Sequence, residues 1–439
     1  MIIKYLRQVS FTYLILLVCF FSSVVLCSMI ALDISNSNFL STVKTFKSEG
    51  TYPSFGLPWR KVVIDNYTEA IMINTAYFTN SSKPVESALT NKRYAGVDNP
   101  INQIENLEKM SKGLPGKEYG YERYWHGYLV YLRPFMTVFS YPVLRIALSF
   151  VLYGLFAFFI YLLWRKLGLK SVLIYVFSFI IVDFFYIGIS MQFSNVFIVA
   201  LSTTIYTLTR KNENHNKDHL ILFVSGALTS FFDLLTAPIV GLGLLLTINN
   251  LRKDSCLKSI FVNAFFWFTG YIGLWASKWI LSSIFYTPQA LLVAFDQIVN
   301  RTVNKADEKF SHVEAVRLNI FQLIGYSRES KIFFVFLFAI VLLIFLRYRL
   351  IKKVNYKRVT SWIVIGLIPY VWYLIAANHS YLHVWFTYRA QLMSVIAGLF
   401  IYTEFIDLKK INSDYKAIKR AFLFFSPTSN NRSNRTKEI

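Results

Sequence analysis

Tyr119-Gly-Tyr-Glu-Arg-Tyr-Trp-His-Gly-Tyr-Leu-Val-Tyr-Leu-Arg-Pro134 closes the one long polar segment of the chain and returns it to a run of apolar stretches. Glu122, Arg123, His126 and Arg133 stand here among tyrosine and tryptophan rings. Such rings settle at the headgroup level of a bilayer or stack on sugars, while ionisable groups hold a phosphate or move a proton. The mixture suits chemistry at a lipid boundary. An interfacial aromatic belt with snorkelling arginines has the same composition, so the rest of the chain must separate the two readings.

Around this stretch lie 439 residues of which 55% are hydrophobic and only 16% charged, a balance that excludes an ordinary soluble enzyme and reads as a polytopic membrane protein. The formal net charge of +22 would suggest nucleic acid in a soluble chain. Here the basic residues cluster in short loops between apolar runs, so the charge is assigned to the inner membrane face and its anionic lipid. No nucleic-acid partner is expected. Cys19, Cys27 and Cys256 have no metal spacing and lie in or beside apolar runs, which predicts inert thiols.

In order, residues 1–32 make a cytoplasmic tip and a first span, with 11–32 long enough to cross a bilayer and no good cleavage site after it. Residues 33–133 form an extracytoplasmic loop of short helices and turns, with a helical stretch near Asn99–Lys112. Residues 134–286 hold further spans: 141–164, 171–189, 192–209, two short ones within 219–250 broken at Phe231–Pro238, and 259–286. A second outer segment, 287–331, contains Asp296, Glu314, Arg317 and Arg328 and suits a short amphipathic helix. Spans at 332–346, 360–377 and 390–405 lie within 332–405, and 406–439 is a basic cytoplasmic tail, polar and disordered from Ser426. The expectation is an all-α integral membrane protein with about ten transmembrane helices and both termini cytoplasmic, because span parity and loop charge agree.

Ionisable groups in or at the edge of spans are candidates by default. Asp183 and Asp233 fall toward the outer ends of their spans, and Asp233 precedes Thr236-Ala-Pro238, where broken backbone would line a cavity. A helix cap is the plainer reading of either. Asp65 and Glu69 are four apart, on one face of a helix, and Asp65 would serve as general base for a hydroxyl, with Asp33 as its rival. His126 joins Asp65 and Asp233 as a catalytic candidate. Substrate-binding candidates are Glu69, Glu122, Arg133, His379, His383 and Arg389, the last offering a bidentate fork to phosphate. His379 and His383 have the spacing of a helical metal pair but lack the glutamate of a zinc-protease signature, so no metal is assigned and a divalent ion is only the alternative. No P-loop or Rossmann glycine pattern is present, and ATP-driven transport is not supported.

Four motifs, Asp65-Asn-Tyr-Thr-Glu69, Tyr124-Trp-His-Gly-Tyr128 with Leu132-Arg-Pro134, Phe232-Asp-Leu-Leu-Thr-Ala-Pro238, and Asn378-His-Ser-Tyr-Leu-His383 with Phe386-Thr-Tyr-Arg389, resemble a set found in bacterial polytopic membrane proteins. In architecture the chain also resembles the GT-C glycosyltransferases: an amino-terminal span, a long first outer loop with an acidic base, then many spans. It departs from them in lacking an acidic pair at Asp33. The resemblance implies a lipid-linked sugar donor, a glycan or glycolipid acceptor, and inverting attack at the outer face of the bacterial cell membrane. Arg133, Arg389 or His383 would hold the phosphate and Asp65 would activate the acceptor. A carrier or flippase of a lipid-linked or small substrate, and an O-antigen-type polymerase, are the alternatives. A carrier would show paired broken helices in two repeats, and only one break is present.

Overall fold

The apolar runs become helices, and the polar segment between them folds onto one end of the bundle they make. The structure is a computed structural model describing residues 2–57, 60–97, 102–211, 215–253, 256–304, 310–349, 354–407, 410–411 and 413–416. The disordered tail expected from Ser426 lies outside the described residues, as do Asp307, Glu308, Lys352 and Lys353.

Helix α1 (Ile2–Ser28) leads into α2 (Ser37–Glu49), strands β1 (Ser54–Leu57) and β2 (Arg60–Val63), α3 (Asn66–Phe78), α4 (Pro84–Thr90), β3 (Arg93–Gly96), α5 (Gln103–Ser111), β4 (Gly116–Tyr119) and α6 (Leu129–Met136). The strands pair as two antiparallel hairpins, β1 with β2 and β3 with β4. This corrects the all-α expectation: the fold is mostly helical, with two short hairpins in the polar segment 33–133. Phe39, Phe46, Met72 and Leu107 of this segment share one continuous apolar core with Tyr141, Leu144 and Leu152 of the next helix, so the segment is part of the bundle.

Helix α7 (Tyr141–Ile181) contains Gly168 at φ 78°. A straight helix would hold Phe156 and Phe179 roughly 35 Å apart. Their ring centroids are 4.9 Å apart, and Phe159 meets Tyr175 at 5.4 Å. The helix therefore folds back at Gly168 into two antiparallel arms, in the places expected for spans 141–164 and 171–189. A glycine is needed there because the turn demands positive φ.

A 3-10 turn (Phe184–Ile189) joins α7 to α8 (Met191–Thr209), followed by α9 (His215–Phe232), α10 (Val240–Lys253), α11 (Leu257–Phe285), α12 (Ala290–Thr302), α13 (His312–Ile324), α14 (Arg328–Tyr348), α15 (Tyr356–Ile375), α16 (Ala377–Leu382), α17 (Val384–Thr387) and α18 (Leu392–Glu404). Among the described residues seven helical stretches are long and apolar enough to cross a membrane, the makeup of a multi-pass membrane protein. The count falls below the expected ten because the two arms of α7 make one stretch in it and because α9 and α10 are too polar or too short. Helix α10 is buried along Val240–Asn250 at the centre of the bundle, the polar Thr247, Asn249 and Asn250 included. Helices α9 and α11 meet through glycines: a Cβ on Gly226 would lie 2.0 Å from the Trp267 carbonyl oxygen, and one on Gly270 would lie 2.0 Å from that of Phe223.

Basic loops gather at one end of the bundle. Asp218 accepts there from Arg210 at 2.8 Å and from Lys253, while Arg347 reaches Asp414 at 3.1 Å. The polar segment 33–133, the α9–α10 break, α12, α13, α16 and α17 gather at the opposite end.

Candidate functional site

The four motifs converge at that opposite end on one cavity of about 210 Å³. Asp65 and Thr68 come from the first motif, Tyr124 from the second, Leu234 from the third, and His379, His383, Trp385 and Phe386 from the fourth. Each is brought in by a local signal. Asp65 caps α3, its carboxylate accepting from the Thr68 amide at 3.0 Å and the Thr68 hydroxyl at 2.8 Å. Burial pushes its carboxyl above the ordinary carboxylate range against those two bonds. A carboxylate has acceptor sites beyond two, so the cavity side of Asp65 remains able to take a proton from a bound hydroxyl.

Asp233 organises the helix break, accepting from the Thr236 amide at 3.0 Å. The turn it forms aims the Leu235 carbonyl at His379, whose Nε2–H donates to it at 2.7 Å. His379 Nδ1 then accepts from Arg301 at 2.5 Å. Both ring nitrogens are engaged, and burial with Arg301 alongside holds the imidazole neutral, well below its ordinary range. His379 thus positions Arg301, a use of the ring that leaves no lone pair for a metal. His383 lines the cavity, and burial with Arg301 pushes it down to about 4, so it too is neutral.

Three guanidinium groups line the cavity: Arg123, which the sequence reading placed among the ionisable groups of the 119–134 stretch, and Arg93 and Arg301, which it did not name. They surround the Tyr121–Tyr124 pair. Arg93 and Arg123 stand 5.8 and 4.9 Å from the Tyr121 ring centroid, and Arg301 donates to the Tyr124 hydroxyl at 3.2 Å. Their other partners are neutral: Gln103 for Arg93 at 2.7 Å and Gln297 for Arg123 at 2.5 Å. Gln192, 3% exposed, also lines the cavity, with its Oε1 unpartnered. The Trp385 Nε1–H is likewise unpartnered. Unmet donors and acceptors side by side suit a hydroxylated ligand.

Several candidates stand elsewhere. His126, at φ 55°, sits behind the wall, its ring bonded to the Tyr128 hydroxyl and the Tyr121 carbonyl, both at 2.8 Å. Burial lowers it to about 3, so it holds the loop and carries no proton near neutrality. Glu69 is fully buried away from the cavity, accepting from Arg145 at 2.8 Å, Tyr141 at 2.6 Å and Ser190 at 2.6 Å. Arg133 spends its guanidinium on the carbonyls of Cys27, Ala76 and Ile30, clamping α1 and α3 to α6. Arg389 is buried beneath Phe193, 4.6 Å from its ring centroid, and donates to the Trp385 carbonyl. Glu122 meets Thr287 outside the cavity, Asp33 is tied to Ser35 in an exposed turn, and Asp183 accepts from Tyr388. Among the described residues no three His, Cys, Asp or Glu side chains group as metal ligands.

A second, apolar groove of about 450 Å³ opens between α11, α12 and α15, walled by Tyr271, Trp275, Trp279, Ile298 and Trp372. It shares Arg123, Tyr124 and Arg301 with the polar cavity. Ile272, Ile298 and Ile375 along it are between 44% and 58% exposed, so it is open on the side that bilayer lipid would face. Comparison with protein-family models, with curated proteins and with solved structures finds no match.

Proposed function

We propose that the protein is a membrane glycosyltransferase that moves a sugar from a polyprenyl-phosphate-linked donor to a glycan or glycolipid acceptor at the outer face of a bacterial membrane. The observation that carries this reading is the junction at Arg123, Tyr124 and Arg301, where an apolar, laterally open groove meets a polar cavity holding a carboxylate. A lipid-linked sugar has the same division: an apolar chain, an anionic bridge and a hydroxylated head. The prenyl chain lies in the groove, the bridge rests on Arg123 and Arg301, and the sugar occupies the cavity beside Asp65 and Gln192.

In the transfer step an acceptor hydroxyl gives its proton to the Asp65 carboxylate as its oxygen attacks the anomeric carbon. The bond from that carbon to the bridging phosphate oxygen breaks, and its electron pair leaves with the prenyl phosphate. The arginines stabilise the charge that develops there. Asp65 later returns its proton to solvent. Transfer of labelled sugar by the purified protein in lipid, wild type against Asp65→Asn, tests the reading. Loss of turnover with donor binding retained is expected; donor movement across the bilayer without transfer would replace the transferase by a carrier.

A further inference from the structure

Given the transferase reading, on which the inference rests, charge at the cavity wall constrains the donor more tightly than the cavity's outline does. Three arginines line the cavity and, among the described residues, Asp65 is the only carboxylate lining it, while its two histidines are neutral. Asp233, one residue beyond the lining, is satisfied by backbone amides of its own turn. The wall therefore carries two uncompensated positive charges. The three guanidinium groups are half-buried and the hydrogen-bond partners they have on the wall are neutral, so an anionic ligand supplies the charge that answers them.

Where the cations stand separates their roles. Arg123 and Arg301 are shared with the apolar groove and mark the place where a prenyl chain ends. Arg93 lines the polar cavity but not the groove, and its buried Nε has no partner. A single phosphate diester supplies one negative charge and would leave Arg93 unanswered. A diphosphate diester supplies two, spaced along the ligand in the direction from Arg301 to Arg93.

We infer that the donor is linked through a diphosphate, with Arg123 and Arg301 on the prenyl-side phosphate and Arg93 on the sugar-side phosphate. Arg93 is then the residue that tells a diphosphate carrier from a monophosphate carrier. An acidic sugar on a monophosphate carrier would also bring two charges, and probes without any sugar separate the two sources.

Calorimetric titration of the protein in lipid nanodiscs with farnesyl monophosphate and farnesyl diphosphate tests this. Wild type is expected to bind the diphosphate tighter by roughly ten-fold or more, the scale of one charge-assisted hydrogen bond. Arg93→Gln should erase that preference while keeping monophosphate affinity, which also reports that the variant is folded, and Arg93→Lys should retain part of it. Equal affinity of wild type for both probes, or a preference untouched by Arg93→Gln, would overturn the diphosphate assignment and leave the transferase reading standing. Failure of wild type to bind both probes would overturn both.

Discussion

Asp65 and Glu69 stand four residues apart and meet opposite fates. Asp65 is the cap rather than a member of α3, so its carboxylate turns from the helix face toward the cavity, while Glu69 turns into the bundle to meet Arg145. Removing one partner of a buried ion pair leaves the other charge stranded, so Glu69→Gln is expected to cost about 3–5 kcal/mol. Thermal unfolding in detergent measures it, and a change under about 1 kcal/mol would show the pair to be solvated. Asp65 carries a pH signature instead. A base works only deprotonated, and burial has raised its carboxyl, so transfer should fall as pH drops through a midpoint above the ordinary carboxylate range. With His126, His379 and His383 all held neutral, no histidine limb is expected near neutrality. A pH profile of kcat/KM checks both statements, and an acid limb that persists in a weakly active Asp65 variant would assign the base elsewhere.

At the scale of elements, α12 joins the two halves of the site. It gives Arg301 to the cavity, Gln297 to Arg123 and Ile298 to the groove, yet much of its other face, Leu292, Phe295 and Val299, is exposed. This is the amphipathic helix expected of the second outer segment, but amphipathicity alone gave no reason to single out Arg301, whose histidine partner is 78 residues away. Arg93 and Gln192 were illegible for the same reason: each becomes significant only through neighbours that the fold supplies. The helix break at Phe231–Pro238 was legible, because Pro238 and Asp233 punctuate an apolar run. Its use was not, since a backbone carbonyl rather than the Asp233 side chain reaches His379. Close approach of α9 and α11 leaves no room at Gly226, so Gly226→Leu should cost about 1–3 kcal/mol or more through overpacking. Size-exclusion chromatography and thermal unfolding would reveal it, whereas wild-type behaviour would mean that the helices separate freely.

Over the whole molecule, hydropathy and loop charge located the helices well because both act through long stretches of chain, while the two β hairpins, each strand four residues long, left no such trace. The proposed sidedness makes a direct prediction. With the native cysteines replaced, Cys introduced at Ser81 should react with an impermeant thiol reagent from outside intact cells, and Cys introduced at Asn355, at the basic end, should not. Reversed labelling would invert the protein and place the cavity inside.

The central claim is that groove and cavity form one site for one amphipathic ligand, joined at Arg123, Tyr124 and Arg301. The most direct measurement is photocrosslinking with a prenyl phosphate carrying a diazirine on its chain, the labelled peptides being mapped by mass spectrometry. Labels are expected on α11, α12 and α15 around Trp275, Ile298 and Trp372, and should fade in Arg301→Gln. Labels spread over the other lipid-facing helices, or unchanged by that substitution, would contradict the account.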